Sequence, residues 1–591
     1  MTNLEKELSI KAAEAIKEVY KTDVSSESIA VNLTKKDFEG DYTLVTFPLA
    51  RTSKKSPEET ANDLGSFLEE HWEIVDQFNT VKGFLNLNFK DSFWLNVFNE
   101  MQSDPDYGKH PPTGNKVVLE YIGPNTNKPL HLGHIRNMLL GFSIGEILEA
   151  RGHEVVKVNI YNDRGIAICK SMVAWLRNGE GKTPESTGIK GDHFVGQFYV
   201  EYAKIEDEES KSFLDKGMEK EEAAKETSVY KEAQEMLIKW EAGDKEVRAL
   251  WKKMNGWVYE GFNETYKKLG VGYKKAYHES DTYILGKNLV EEGLEKGCFY
   301  KKEDGSVWVD LTDEGLDEKI LLRSDGTSVY LTQDLGTAQE RFKDFKMNDS
   351  LYVVGNEQDY HFQVLKLTLQ KLGKEYADGI RHISYGMVDL PEGKMKSREG
   401  KTIDADDLVE EMVSKSEEHT IELGKIEDLD ESERGDLFRI LGLGALKYFI
   451  LKVQAKKRML FNPEQSIELQ GDTGPFVQYT YARIQAILRR DAGAVFNKDN
   501  INLNPSEKEL IKILYRLAEV VDEAARNYDP SVIASYTIDL AKLYNRFYAE
   551  VPVLKAESDD EKNFRISLSK IVGEKIRFCM ALLGIEVPDQ M

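Results

Sequence analysis

The chain has 591 residues, 41% of them hydrophobic and 31% charged, with a net charge of −24, a length that suits three or four domains of ordinary globular composition. Cys169, Cys298 and Cys579 lie far apart with no metal-ligand spacing, which argues against a disulfide framework or a zinc site. No stretch is long and apolar enough to cross a bilayer and the amino terminus lacks a signal peptide's apolar run, so the expectation is a cytoplasmic protein without a membrane partner. The acidic balance argues against general nucleic-acid affinity, but residues 451–591 carry 20 Lys+Arg and 20 Asp+Glu, so a local basic face remains open.

Residues 1–110 read as a small α/β domain. Leu8, Ala12, Ile16 and Val19 mark a first helix, and Leu85, Leu87 and Phe89 alternate with Asn86 and Asn88 as in a half-buried strand. Lys109 to Gly114 reads as a linker.

Residues 116–165 organise the rest. Lys116 to Tyr121 predict a buried strand, and Gly123 to Pro129 a turn. Ile135, Met138, Leu139 and Phe142 form one face of a helix that Gly152 ends, and Val155 to Ile160 form a second strand. This βαβ unit places its polar loop at the carboxyl end of a strand, where open α/β sheets bind ligands. In that loop His131-Leu132-Gly133-His134 suits a nucleoside triphosphate: free N–H groups at the helix start attract phosphate, Gly133 lacks a Cβ, and two imidazoles can donate to phosphate oxygens. The competing reading is a loop whose histidines only cap the helix.

From about 167 to 282 the pattern is helical and strongly charged, as in Lys220 to Glu226, and reads as an insertion with solvated faces. The α/β pattern is expected to resume near Tyr283 and to continue through a strand at 350–354. Pro391 to Lys401 form a basic, glycine-bracketed loop able to supply cations to a polyphosphate; the alternative is an exposed basic loop. From about 440 onward apolar-periodic helices predict an all-α bundle, with stripes at Leu510, Leu514, Leu517, Val521 and at Ile533, Tyr536, Leu540, Tyr544. Tyr479, Tyr481, Arg483, Arg489 and Arg490, near Lys456-Lys457-Arg458, mix aromatic and basic residues as RNA-binding surfaces do, weighed against aromatics that are core and cations that solubilise.

The two loops, in this order on an interrupted α/β domain with a bundle behind, resemble the class I aminoacyl-tRNA synthetases, and the arginyl-tRNA synthetases among them. Pro124 to Arg136 resembles that family's extended first motif, Gly474 to Tyr479 with Ala482-Arg483-Ile484 the start of its anticodon-binding bundle, and Gly40-Asp41-Tyr42 with Gly83 to Asn86 its additional amino-terminal domain. The resemblance implies a small α/β amino-terminal domain (1–110), a Rossmann-like class I catalytic domain (111–445) with its helical insertion, and an all-α anticodon-binding domain (446–591). It departs at the second motif, where Lys394-Met395-Lys396-Ser397-Arg398 stands for the usual Lys-Met-Ser-Lys-Ser.

What the resemblance implies is a ligase joining L-arginine to tRNA(Arg), with ATP as substrate, Mg2+ accompanying it, and a monomeric state. His131, His134, Lys128, Lys394 and Lys396 are the expected catalytic residues, Lys128 supplying the cation missing from the second motif. Glu120, Asn125, His134, Tyr330, Asp334 and Gln358 are the expected arginine site. ATP is expected to contact His131, Gly133, His134, His361, Gln363, Lys394, Met395, Lys396 and Ser397, with His361 and Gln363 on the adenosine side. Tyr479, Arg483, Arg489 and Arg490 are expected to meet tRNA. No resident metal site is expected. Guanidinium selection calls for a buried planar anion, and Tyr330 and Asp334, four residues apart, share a helix face. Two other classes compete. A different class I synthetase or nucleotidyltransferase would lack the Tyr330/Asp334 pocket and the Asn125–Lys128 extension. A non-catalytic RNA-binding relative would have lost the phosphate-handling residues that are present here.

Overall fold

The computed structural model describes residues 4–35, 37–389, 403–422, 429–493 and 495–591. Lys394, Met395, Lys396 and Ser397 lie outside them. By compactness the chain forms two units: one of Met1–Tyr107, Ile487–Arg516 and Leu543–Val572, the other of Gly108–Ala486, Leu517–Lys542 and Gly573–Met591. The stripe from Leu510 to Val521 thus belongs to two helices, Pro505–Tyr515 and Leu517–Asn527, that part at Arg516.

In the first unit, β1 (Val31–Leu33), β2 (Tyr42–Val45), β3 (Val75–Val81) and β4 (Phe84–Phe89) make an antiparallel sheet in the order β1-β2-β4-β3. Helix Leu4–Tyr20 buries Leu8, Ala12 and Ile16, as its periodicity requires. The alternation expected of β4 is broken by Asn86, which is buried because Thr43 donates to it at 2.6 Å and it donates to Asn79 at 2.9 Å. Buried Asp41 accepts from the Phe89 amide, the Trp94 indole and Lys512, which satisfies a carboxylate that burial would otherwise penalise.

The second unit is built on a parallel sheet. Its strands are β5 (Lys116–Glu120), β6 (Glu154–Tyr161) and β7 (Lys275–His278), then, past a small antiparallel sheet of β8 (Phe299–Lys301), β9 (Val307–Val309) and β10 (Lys319–Leu322), β11 (Asp349–Gly355) and β12 (Ile380–Tyr385). The order β12-β11-β5-β6-β7 turns in opposite directions on either side of β5. The carboxyl ends of β5 and β11 therefore flank a topological switch point, the crevice in which doubly wound sheets place their ligands. This is the Rossmann-like arrangement expected. A short parallel pair, β13 (Val388–Asp389) with β14 (Met459–Leu460), follows.

The boundaries of the insertion need correction. Six helices occupy 166–269, but β7 pairs in parallel with β6 from Val158↔Lys275 to Tyr161↔His278, so the sheet resumes before residue 283. As an edge strand of sequence Lys-Ala-Tyr-His it buries one residue fully and carries no apolar run to announce it.

Candidate active site

β5 ends at Glu120, and the chain then turns through Ile122 at φ 82° and Gly123 at φ 57°. A β-branched residue in the left-handed region is strained, and two buried asparagines hold it there. Asn137 accepts from the Ile122 amide at 2.5 Å and donates to the Val353 carbonyl at 2.7 Å, while Asn159 accepts from the Gly123 amide at 3.1 Å. These contacts tie the turn to β11 and β6 and set the path of the loop that follows. Gly196, on the insertion helix Gly191–Leu214, makes room for that loop, since a Cβ there would meet Pro129 at 2.8 Å.

His131 is the N-cap of the helix Leu132–Ala150. Its Nδ1 accepts from the Gly133 amide, and Nδ1 of His134 accepts from the His131 amide, both at 3.1 Å. An imidazole nitrogen that accepts from a backbone N–H carries no proton, so both rings are neutral tautomers with the proton on Nε2. Burial, with Lys128 nearby, lowers His131 to about 4, and burial beside His131 and Lys128 pushes His134 well below its usual value. Both histidines therefore cap the helix and also present Nε2–H donors; the two readings of this motif are compatible. Burial also lowers Lys128. The cradle thus joins two imidazoles and an ammonium within mutual electrostatic reach.

Tyr330 opens the helix Tyr330–Phe345, and Asp334 follows one turn on. The carboxylate is not the buried anion expected: its side chain is 37% exposed and accepts from Nε2 of His361 at 2.6 Å. That hydrogen bond raises the His361 pKa. His361 accordingly stands beside Asp334, and Gln363 lines a groove with Asn356, Lys366 and His382. Tyr330 is 76% exposed, and Asn125 and Gln358 are exposed as well, the first pairing with Asn162 beside the turn.

Glu120, at the end of β5, is a buried carboxylate, and it is already matched. Arg341, fully buried two turns beyond Asp334, pairs with it, and the guanidinium lies over the rings of Tyr277 at 5.2 Å and Tyr352 at 5.1 Å. Arg341 was missed, although 330, 334, 337 and 341 trace one face of the helix and an arginine on that face is a readable signal. Glu279 was missed too. Burial raises it to about 7, Asp163 and Asp334 adding to the shift, and it lines a cleft of about 550 Å³ with Arg164, Tyr283, Tyr330 and Gln333.

The chain re-enters beside the cradle at 403–406. The Leu132 amide donates to the Ile403 carbonyl at 3.2 Å and the Ala405 amide to the Leu130 carbonyl at 3.0 Å. Asp404 pairs with His193 at 3.0 Å, and Asp406 with Lys190 at 2.6 Å and Lys268 at 3.1 Å. Asp192, His193 and Asp406 stand close enough to hold an ion, but the Lys190 ammonium lies among them and supplies the positive charge.

On the helix Gly474–Arg490, Tyr479 and Arg483 are half-buried, the guanidinium 4.9 Å from the ring, and Arg489 and Arg490 are exposed. Tyr481 is core, its hydroxyl donating to Asp589 at 3.2 Å, so the bland reading holds for that residue.

Comparison with known proteins agrees with this architecture. A family model for the catalytic domain of class I (R) tRNA synthetases matches residues 96–462, one for the DALR anticodon binding domain 477–591, and one for the arginyl tRNA synthetase N terminal domain 6–89. The arginine–tRNA ligase of Bacteroides thetaiotaomicron is 54% identical with 100% of each chain covered, and that of Parabacteroides distasonis 54% with 98% of each. In fold, the Thermus thermophilus arginyl-tRNA synthetase is similar at a TM-score of 0.80, with 24% identity and all of both chains covered. With these matches running from end to end, the chain belongs to the class I arginyl-tRNA synthetases.

Proposed function

We propose that the chain ligates L-arginine to tRNA(Arg) in two steps, and that the described residues divide the work as follows. The arginine carboxylate attacks the α-phosphorus of ATP and expels pyrophosphate; a carboxylate is already a nucleophile, so positioning and positive charge carry the catalysis and no general base is needed. The Nε2–H groups of His131 and His134 donate to phosphate oxygens, Gly133 lets the chain approach them, and Lys128 supplies a cation. Lys394, Met395, Lys396 and Ser397 are proposed to meet the same phosphates. Mg2+ travels with the triphosphate as part of the substrate, its oxygen ligands supplied by the phosphates. In the second step the 2′-hydroxyl of the terminal adenosine of tRNA attacks the adenylate carbonyl. Asp334, with Tyr330, reads the guanidinium, displacing His361 from the carboxylate; Glu120, held by Arg341, adds negative potential beneath; Asn125 and Gln358 take the α-amino and carboxylate end. Tyr479, Arg483, Arg489 and Arg490 form the tRNA-facing part of the helical segment. The setting is a cytoplasmic monomer; among the described residues no helix is long and apolar enough to cross a membrane.

The observation that carries this reading is the capped histidine pair. Their protons are fixed on Nε2 and their charge is suppressed chiefly by burial, with Lys128 adding to it, so they act as pre-oriented neutral donors until phosphate arrives. The test is Lys128→Ala in arginine-dependent ATP–pyrophosphate exchange with tRNA present. The turnover should fall about 100-fold or more while the KM for arginine holds. An unchanged turnover would remove Lys128 from the phosphate site.

A further inference from the structure

We propose that Arg136 is a positioning residue for adenylate formation, a buried guanidinium that fixes the β13–β14 strand pair against the helix carrying His131 and His134. Resting on the cradle reading above, this adds a residue that touches no substrate.

Arg136 lies five residues beyond His131 on the same helix and is fully buried. Among the described residues no carboxylate pairs with its guanidinium. Instead Nη1 donates to the Met387 carbonyl at 3.2 Å, and Nη2 faces the carbonyls of Gln454 at 3.4 Å, Ala455 at 2.9 Å and Lys457 at 2.8 Å. Four backbone dipoles thus stand where a counter-ion would, and burial lowers its pKa to about 10, leaving it charged at neutral pH. A core that needed only filling would place an apolar side chain here at less desolvation cost. What a guanidinium adds is a planar fork that binds several carbonyls from separate segments at once, a geometry that an ammonium cannot copy.

Those segments meet closely. The Gly386 amide donates to the Ala455 carbonyl at 2.9 Å, the Met459 amide to the Met387 carbonyl at 3.1 Å, and the Phe461 amide to the Asp389 carbonyl at 2.8 Å. A Cβ on Gly386 would lie 2.9 Å from the Lys457 backbone. β13 is the last described element before the second motif, and after it the chain rejoins the same helix start at Ile403 and Ala405. Arg136 on one side and the Leu130 and Leu132 backbone on the other thus fix both places to the helix that carries the histidines.

The experiment uses the full chain with two substitutions, Arg136→Lys, which keeps the charge and loses the fork, and Gly386→Ala, which keeps Arg136 and prises the same crossing apart. Pyrophosphate exchange with tRNA present is measured per active site by titration, with the KM values for ATP and arginine and the melting temperature. A misplacement of about 1 Å predicts a turnover lower by about 100-fold in Arg136→Lys and a fall in the same direction in Gly386→Ala, the KM for arginine staying within about twofold. A merely structural role would lower the melting temperature and the active fraction yet leave turnover per active site intact, and that result overturns the proposal. So does an unaffected Gly386→Ala, which decides the matter if Arg136→Lys does not fold. Lys128→Ala runs alongside: if it too is fully active, the cradle reading itself has failed, whereas if it alone is impaired, only the role of Arg136 falls.

Discussion

Removing Arg341 should strand a carboxylate in the core. Glu120 is 9% exposed and its partner 0%, with the guanidinium held between two tyrosine rings. Arg341→Met leaves the Glu120 charge without its counter-ion, and Glu120→Gln leaves the guanidinium without its own; breaking a buried pair from either side costs about 3–5 kcal/mol. The double variant, Glu120→Gln with Arg341→Met, removes both charges and should lie within about 1–2 kcal/mol of the parent, because replacing a whole buried pair is often nearly neutral. The cycle therefore expects a coupling of roughly 4 kcal/mol or more, read from urea unfolding followed by circular dichroism. The double variant should fold and still show a raised KM for arginine, which separates the stabilising part of the pair from its electrostatic contribution to the pocket. Losses that add within about 0.5 kcal/mol would refute the claim that Arg341 holds Glu120.

The remaining expectations concern protons and the Lys190 cluster. Because Asp334 raises the His361 pKa, the imidazolium competes with the guanidinium for that carboxylate; the KM for arginine should rise as pH falls through that raised value, and His361→Gln should flatten the profile. His131 has the opposite sign: its folded value, about 4, lies below the unfolded 6.5, so the unfolded chain takes up its proton first. Stability should fall as pH drops below about 6.5, by roughly 3 kcal/mol from this group on reaching pH 4, and His131→Asn should remove that part of the slope. Asp406→Asn leaves Lys190 and Lys268 facing a neutral amide, and with Lys190 12% exposed it should cost about 3 kcal/mol in urea unfolding.

Local periodicity carried much of this fold in the sequence. The run from Lys116 to Tyr161 announced strand, loop, helix and strand, because a buried parallel strand is apolar throughout and a helix repeats every three to four residues. Tyr330 and Asp334 were likewise legible as neighbours from their spacing alone. What escaped needed partners distant in sequence. β7 is a strand only because β6 lies beside it, and its four residues have no pattern of their own. Asp334 reads as a buried anion until His361 is placed against it, and Glu120 reads as a substrate ligand until Arg341 is seen to pair with it. Tyr481 looked like Tyr479, but two steps along a helix turn a side chain by about 200°, and that turn puts one in the core. The break at Arg516 was invisible because the apolar stripe continues across it.

In the proposed pocket a carboxylate reads the positive charge of the arginine side chain. Citrulline keeps the shape of arginine and replaces the guanidinium with a neutral ureido group, so the ratio of kcat/KM for arginine to that for citrulline, in pyrophosphate exchange with tRNA present, measures that reading directly. Asp334→Asn should lower this ratio by about 100-fold or more, chiefly through arginine, since an amide cannot answer a forked cation. If the ratio is the same in the parent and in Asp334→Asn, arginine is selected elsewhere and the assignment of its pocket is wrong.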